Sequence, residues 1–168
     1  MKQFFLALMV LCTSFHLLAQ EQQKPILSPR AYVNTKYMDI SYGQPSKRNR
    51  VIFGELVPYG NVWRAGANEA TEITFRKKAT FGGKAVDTGT YSLFIIPNEK
   101  EWIIILNSQL GQWGAYEYEK HISKNVVEIT VPVDTLATQQ ERLTYMVKKN
   151  NLLIQWDKSR VSIPFSFK

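Results

Sequence analysis

Between Val57 and Thr71 the chain reads VPYGNVWRAGANEAT, and this stretch gathers a cation, Arg64, an amide, Asn68, and a carboxylate, Glu69, behind one large ring, Trp63. Pro58, Gly60, Gly66 and Asn68 interrupt it every few residues, which is turn chemistry and excludes a regular strand or helix. A guanidinium presents a planar fork of donors suited to carboxylate or phosphate, and an indole supplies a rigid flat wall. Such a set binds, and two arrangements of it are open. Arg64 and Glu69 stand five residues apart across Gly66 and Asn68. A tight loop can join them in a two-pronged pair, and a loop this rich in carbonyls favours that structural role. Directed instead into a pocket beside Trp63 and Tyr116, the same groups would hold an anionic or hydroxyl-rich ligand.

Trp113, Tyr116 and Tyr118, flanked by Gly111 and Gly114, form a second cluster whose rings offer flat faces and polar edges to sugar rings or peptide side chains. The plainer reading puts Tyr116 and Tyr118 on one face of a strand as ordinary cross-strand packing. The ligand-binding candidates are therefore Trp63, Arg64, Asn68, Glu69, Trp113 and Tyr116. For catalysis the candidates reduce to Glu69 and His121. The histidine is a general base if held in a cleft and a plain loop side chain otherwise. A glycosidase-type carboxylate pair would join Glu69 to Asp39, Glu72 or Glu117, although Glu72 faces solvent in the strand expected there. No GxSxG elbow, phosphate-cradling glycine loop or dinucleotide fingerprint occurs. Beyond residue 19 there is one histidine and no cysteine, which removes every His/Cys zinc pattern, and no dense acidic run suggests a calcium loop. No metal or cofactor is expected.

The elements that must hold these groups are strands. Period-two alternation or short β-branched runs mark Ala31 to Asn34, Lys36 to Tyr42, Thr71 to Phe75, Ala79 to Phe81, Lys84 to Val86, Thr90 to Ile96, Trp102 to Leu106, Val127 to Val131, Leu143 to Val147, Leu152 to Trp156 and Val161 to Phe167. Gly82-Gly83 closes a hairpin, and Pro164 argues that the last strand is an edge. Gly43 to Asn49 is a basic loop, and the one helical candidate is a turn near Thr135 to Gln140. This makes an all-β domain, most simply a two-sheet β-sandwich with jelly-roll-like or immunoglobulin-like connections; a barrel is second.

Lys2, the apolar run Phe4 to Leu18 and the small Ala19 read as a secretory signal over residues 1–19, too short for the ~20 residues of a bilayer span. Residues 20–27 form a polar tether, and 28–168 one domain. Its 21 basic residues less Lys2, against 14 acidic, leave +6 after cleavage. Export and the single dense cluster of Lys47, Arg48 and Arg50 argue against nucleic acid and for a solvated basic surface facing anionic envelope material. The expected location is extracytoplasmic, periplasmic or released, with no membrane span after cleavage. No oligomeric state follows.

The run RVIFGELVPYGNVWRAGANEATEITF from Arg50 to Phe75, GTYSLFIIP from Gly89 to Pro97 and QWGAYEY from Gln112 to Tyr118 resemble the bacterial domain-of-unknown-function family numbered 2911. Ser28-Pro29-Arg30-Ala31 and Trp102 fit the same pattern, which spans residues 28 to 135. Glu55 replaces a commoner glycine, and Asp87-Thr88 a usual Pro-Ala. The resemblance implies a secreted setting and brings no established activity. Three function classes follow from the residues. The first is an envelope domain binding a small ligand or glycan through the 57–71 loop. The second is an envelope interaction or assembly module using an apolar patch or free sheet edge, and the third a carboxylate-dependent glycan hydrolase. The signal pattern predicts that mass spectrometry of protein from an extracytoplasmic fraction finds a start within a few residues of Gln20; recovery of only full-length cytoplasmic chain contradicts it.

Overall fold

Alternation becomes burial strand by strand. In Thr71–Phe75 the residues Thr71, Ile73 and Phe75 are buried while Glu72 and Thr74 turn to the other face, and Met38–Gly43 buries Met38, Ile40 and Tyr42 in the same rhythm. The computed structural model describes residues 27–168; the signal segment, Cys12 and the tether up to residue 26 lie outside the described residues. The strands are β1 (Arg30–Asn34), β2 (Met38–Gly43), β3 (Thr71–Phe75), β4 (Ala79–Phe81), β5 (Lys84–Val86), β6 (Gly89–Pro97), β7 (Glu101–Asn107), β8 (Asn125–Lys148) and β9 (Asn151–Phe167). A 3-10 segment, Tyr118–Lys124, precedes β8. Among the described residues no helix is long and apolar enough to cross a membrane.

The all-β expectation holds, but the ladder is one open antiparallel sheet in the order β1-β2-β3-β6-β7-β8-β9-β4-β5. β1 and β5 end the order unpaired with each other, so the ladder closes no barrel, and it runs as one sheet where two separate ones were expected. What the sandwich reading missed is the length of β8 and β9. Each fuses two expected strands, so pairing runs without a break from β7 through β8 and β9 to β4. The sheet folds over on itself. Tyr42 of β2 meets Tyr145 of β8 at 4.5 Å between ring centroids, and Phe75 of β3 meets Phe81 of β4 at 5.7 Å, although neither pair is adjacent in the ladder. Between the facing layers lies one core that includes Ile40, Ile73, Ile95, Trp102, Ile154 and Trp156.

Two local expectations change for the same reason. The helical turn near Thr135 to Gln140 is extended chain inside β8, still paired to β9 at Asp134↔Arg160 and Thr135↔Ser159; the register shifts before and after Gln140, opposite Asp157 at φ 53°. Bulges of this kind let a long strand bend and keep its partner. Pro164 does not mark an edge strand, since β9 lies between β8 and β4. It falls one residue past the last β4 pair, Phe81↔Phe165, where its carbonyl accepts the Gly82 N–H at 2.7 Å. The missing donor therefore falls where the ladder has ended.

A smaller apolar patch, Ala70, Phe94, Ile105 and Tyr118, lies on the opposite face of β6 and β7. The 3-10 segment covers it. Tyr118 packs on Phe94 at 5.0 Å, and its hydroxyl accepts from Asn125 Nδ2 at 2.8 Å. The main core sets stability: Trp102→Ala is predicted to lower unfolding free energy by about 3–5 kcal/mol in denaturant titration, against under ~0.5 kcal/mol for Tyr32→Ala on exposed β1. Equal small losses from both contradict a core closed between the two layers.

Candidate functional site

The loop that carries Trp63 and Arg64 is fixed by the sheet. Pairing of β3 with β6 ends at Thr71↔Leu93, and Trp63 takes the next place beside Ile95, its N–H donating at 2.7 Å and its carbonyl accepting at 2.9 Å. The indole Nε1 donates to the Gly66 carbonyl at 3.0 Å, which closes the turn. Ala65 and Asn68 adopt left-handed φ of 56° and 65° within it. The Ala65 carbonyl accepts two buried hydroxyls, Tyr145 at 2.7 Å and Thr71 at 3.0 Å. Burial pushes the Tyr145 phenol well up, with the neighbouring Thr71 hydroxyl opposing, so it stays a neutral donor. The loop also touches the end of β2 so closely that a Cβ on Gly43 would meet the Ala67 carbonyl oxygen at 2.0 Å. Only glycine permits that approach.

Alternation along this anchored segment decides where Arg64 goes. Trp63 and Ala65 point inward and are buried, so the side chain between them points out of the core, and its backbone is held by the Thr71 N–H at 3.1 Å. Two clefts share Leu56, Val57, Trp63 and Arg64. One, of about 240 Å³, runs toward Asn61 and Tyr116; the other, of about 320 Å³, runs toward Pro45, Arg50, Asn68 and Trp156. Trp63 and Trp156 stack behind them, 5.9 Å apart at 21°. Arg50 is held in place by the carbonyls of Lys47 at 2.9 Å and Ser46 at 2.7 Å. No acidic side chain among the described residues lines either cleft. The half-buried Arg64 forms no ion pair there, and its buried Nε meets no acceptor. An unmet buried donor costs about 1–3 kcal/mol, which a fold sheds unless something else uses the group.

The expected Arg64–Glu69 pair is therefore a correction. Glu69 accepts from Arg30 Nη1 at 3.2 Å, while Arg30 Nε donates to Ser41 Oγ at 2.8 Å, so the acid is claimed by β1, 39 residues away. Glu69 faces away from the clefts and pairs its backbone with Trp113. Asn68 lines the second cleft, but its amide is spent on the Ser28 carbonyl at 3.1 Å. Tyr116 and Tyr118 do not share a strand face. Tyr116 is 78% exposed in a turn, whereas Tyr118 opens the 3-10 segment and is buried. Tyr116 does reach the first cleft beside Arg64, as the loop reading required. On its other side it borders a third cleft of about 370 Å³ with Trp113, Gln112, Glu117 and His121.

His121 lies half-buried on the 3-10 segment, and Glu117 pairs with Lys120 at 2.9 Å, which holds its carboxyl below the usual range. Asp39 pairs with Arg76. Three of the four acids considered for a hydrolytic pair are thus tied to cations, and none of the four lines the Arg64 clefts. No group of three or more His, Cys, Asp or Glu able to hold a metal occurs among the described residues. Among the cleft residues that escaped the sequence reading are Trp156 and Gln112. Trp156 arrives from β9 across the core and has no local signal, while Gln112 stood inside the QWGAYEY run as an unremarkable amide.

The family model described as "Protein of unknown function (DUF2911)" matches residues 25–165. No curated protein and no solved structure gives a significant match. The geometry predicts that a double-mutant cycle between Arg64 and Glu69 gives a coupling within about 0.3–0.5 kcal/mol of zero, the additivity limit for independent sites, while Arg30 and Glu69 couple by ~0.2–1 kcal/mol. A coupling near 3 kcal/mol for the first pair contradicts this placement of Arg64.

Proposed function

The chain belongs to the family of proteins of unknown function DUF2911, and from that premise we propose that it is an exported binding domain that takes a small anionic or hydroxyl-rich ligand at the Arg64 clefts. One observation carries the reading: the half-buried guanidinium whose Nε has no acceptor, in clefts bordered by a second arginine and by no carboxylate. Structural arginines in protein interiors are hydrogen-bonded as a rule, so an orphan facing a cleft is a recognition group. The tryptophan behind it supplies the apolar wall that orients a ligand by its body while the cation fixes its acid.

Chemistry on the ligand is not part of this reading, because the clefts bring no base, nucleophile or acid pair to the guanidinium. The export expected from residues 1–19 would bring such a domain to envelope glycans and their fragments. Its net charge of +7 over the whole chain favours anions over neutral solutes through the general field.

Calorimetry with a panel of sugar acids, sugar phosphates and their neutral parents is the test. Acidic members are predicted to bind wild type with an affinity that falls as salt rises. Arg64→Gln is predicted to weaken them by about 1.5–3 kcal/mol, roughly ten- to hundredfold, with the melting temperature held or raised because an unmet buried donor is removed. Binding unchanged in Arg64→Gln, or a large fall in its melting temperature, contradicts the reading.

A further inference from the structure

The three clefts around Trp63, Tyr116 and Trp113 adjoin one another through shared walls. The second shares Trp63 and Arg64 with the first, and the first shares Tyr116 with the third. At about 320, 240 and 370 Å³, each lies at or below the lower part of the ~300–1,000 Å³ range of single small-molecule sites, so a short unit fills one and a chain of units fills the row. The row changes character along its length. One end is cationic, with Arg50 and Arg64. The other is an open aromatic shelf, with Trp113 56% and Tyr116 78% exposed.

The shelf is built to a fixed shape. Gly114, at φ 70°, lies beneath Tyr116 so closely that a Cβ there would meet the ring at 2.6 Å, and its N–H donates to the Asn68 carbonyl at 3.0 Å. The tyrosine ring is thus laid against the loop with its other face to solvent. Beside it Gln112 is only 8% exposed; its amide donates to the Gln109 carbonyl at 3.0 Å, and its Oε1 has no donor. Of the three buried side-chain atoms left without a partner among the described residues, Arg64 Nε, Gln112 Oε1 and Asp39 Oδ1, the first two belong to residues of this row. One asks for an acceptor at the cationic end, the other for a donor at the aromatic end.

We propose that this row of clefts binds an acidic oligosaccharide, with a hydroxyl-bearing ring on the Trp113–Tyr116 shelf and an acid group of a following unit against Arg64. The proposal rests on the anion-binding reading of Arg64 and extends it to substrate class and length. Sugar rings present flat C–H faces to aromatic side chains and hydroxyl donors to a buried amide oxygen, which matches the shelf. An acidic peptide fits less well. Strand addition, one common way of holding an extended peptide, needs a sheet edge, and neither β1 nor β5, the ends of the sheet, lines these clefts.

The experiment is calorimetry of the full chain with galacturonate oligomers of rising length, neutral glucose oligomers of matched length, and poly-glutamate. In wild type the hexamer is expected to bind at least ~10-fold tighter than the monomer, since linked units engage adjoining sites. Trp113→Ala is expected to erase that gain and keep the monomer's affinity; Arg64→Gln is expected to weaken both. Unchanged melting of each variant shows that the fold persists. Length-independent binding that still fails in Arg64→Gln overturns the row and leaves the single anion site standing. Neutral oligomers or poly-glutamate binding as tightly as the acidic hexamer overturns the assignment to acidic glycan, and so does a hexamer that does not bind wild type.

Discussion

Trp63 and Ile95 exchange two backbone hydrogen bonds at the point where β3 leaves β6, and the directions taken by Trp63 and Arg64 follow from that exchange. Once the backbone of Trp63 is seated, its indole has one direction to go, into the core between Phe53, Trp102 and Trp156. The next residue must then point the other way. That is why a long charged side chain is tolerated between two buried neighbours, and why it emerges at a cleft and not at an open surface. The two hydroxyls on the Ala65 carbonyl and the contact of Gly43 with Ala67 hold the following turn, so the loop behaves as an extension of the sheet.

The magnitudes separate what holds the fold from what defines the site. Truncation of a buried tryptophan is expected to cost about 3–5 kcal/mol. An unmet guanidinium donor costs about 1–3 kcal/mol. A core of this size absorbs the second without difficulty, which allows Arg64 to stay unpaired in the free protein. The pair that the loop does make, Arg30 with Glu69, is partly exposed and worth no more than ~1 kcal/mol. Its effect is positional: it draws the one acid of the loop away from the cation and leaves the clefts positive.

Much of this was legible in the residues. Thr71–Phe75 and the Gly82-Gly83 hairpin match the alternation and turn chemistry to the residue, because local pattern alone decides them. The continuity of β8 and β9 was not legible. Their middles, around Asp134 to Gln140 and Asp157 to Arg160, are polar and partly exposed, so alternation fades while the pairing persists through bulges. Whether the all-β chain makes one sheet or two turns on those few residues. The loop was read as a candidate site from its composition, and Trp63, Arg64 and Tyr116 line one cleft. The partner of Glu69 lay 39 residues upstream, beyond any local pattern. The buried Gln112 depends on the path of the 109–124 segment over β6 and β7, which no periodicity announces.

The central claim is that the Arg64 guanidinium is held open for an external acid. Nitrogen-15 NMR of the arginine Nε–H groups reads this directly. In the free protein the Arg64 Nε–H chemical shift is predicted to be that of a donor with no acceptor from the chain, and on titration with galacturonate oligomers it should move with the same midpoint as binding. A free-protein shift already typical of a hydrogen-bonded Nε–H, or one that stays unmoved while binding saturates, contradicts the account.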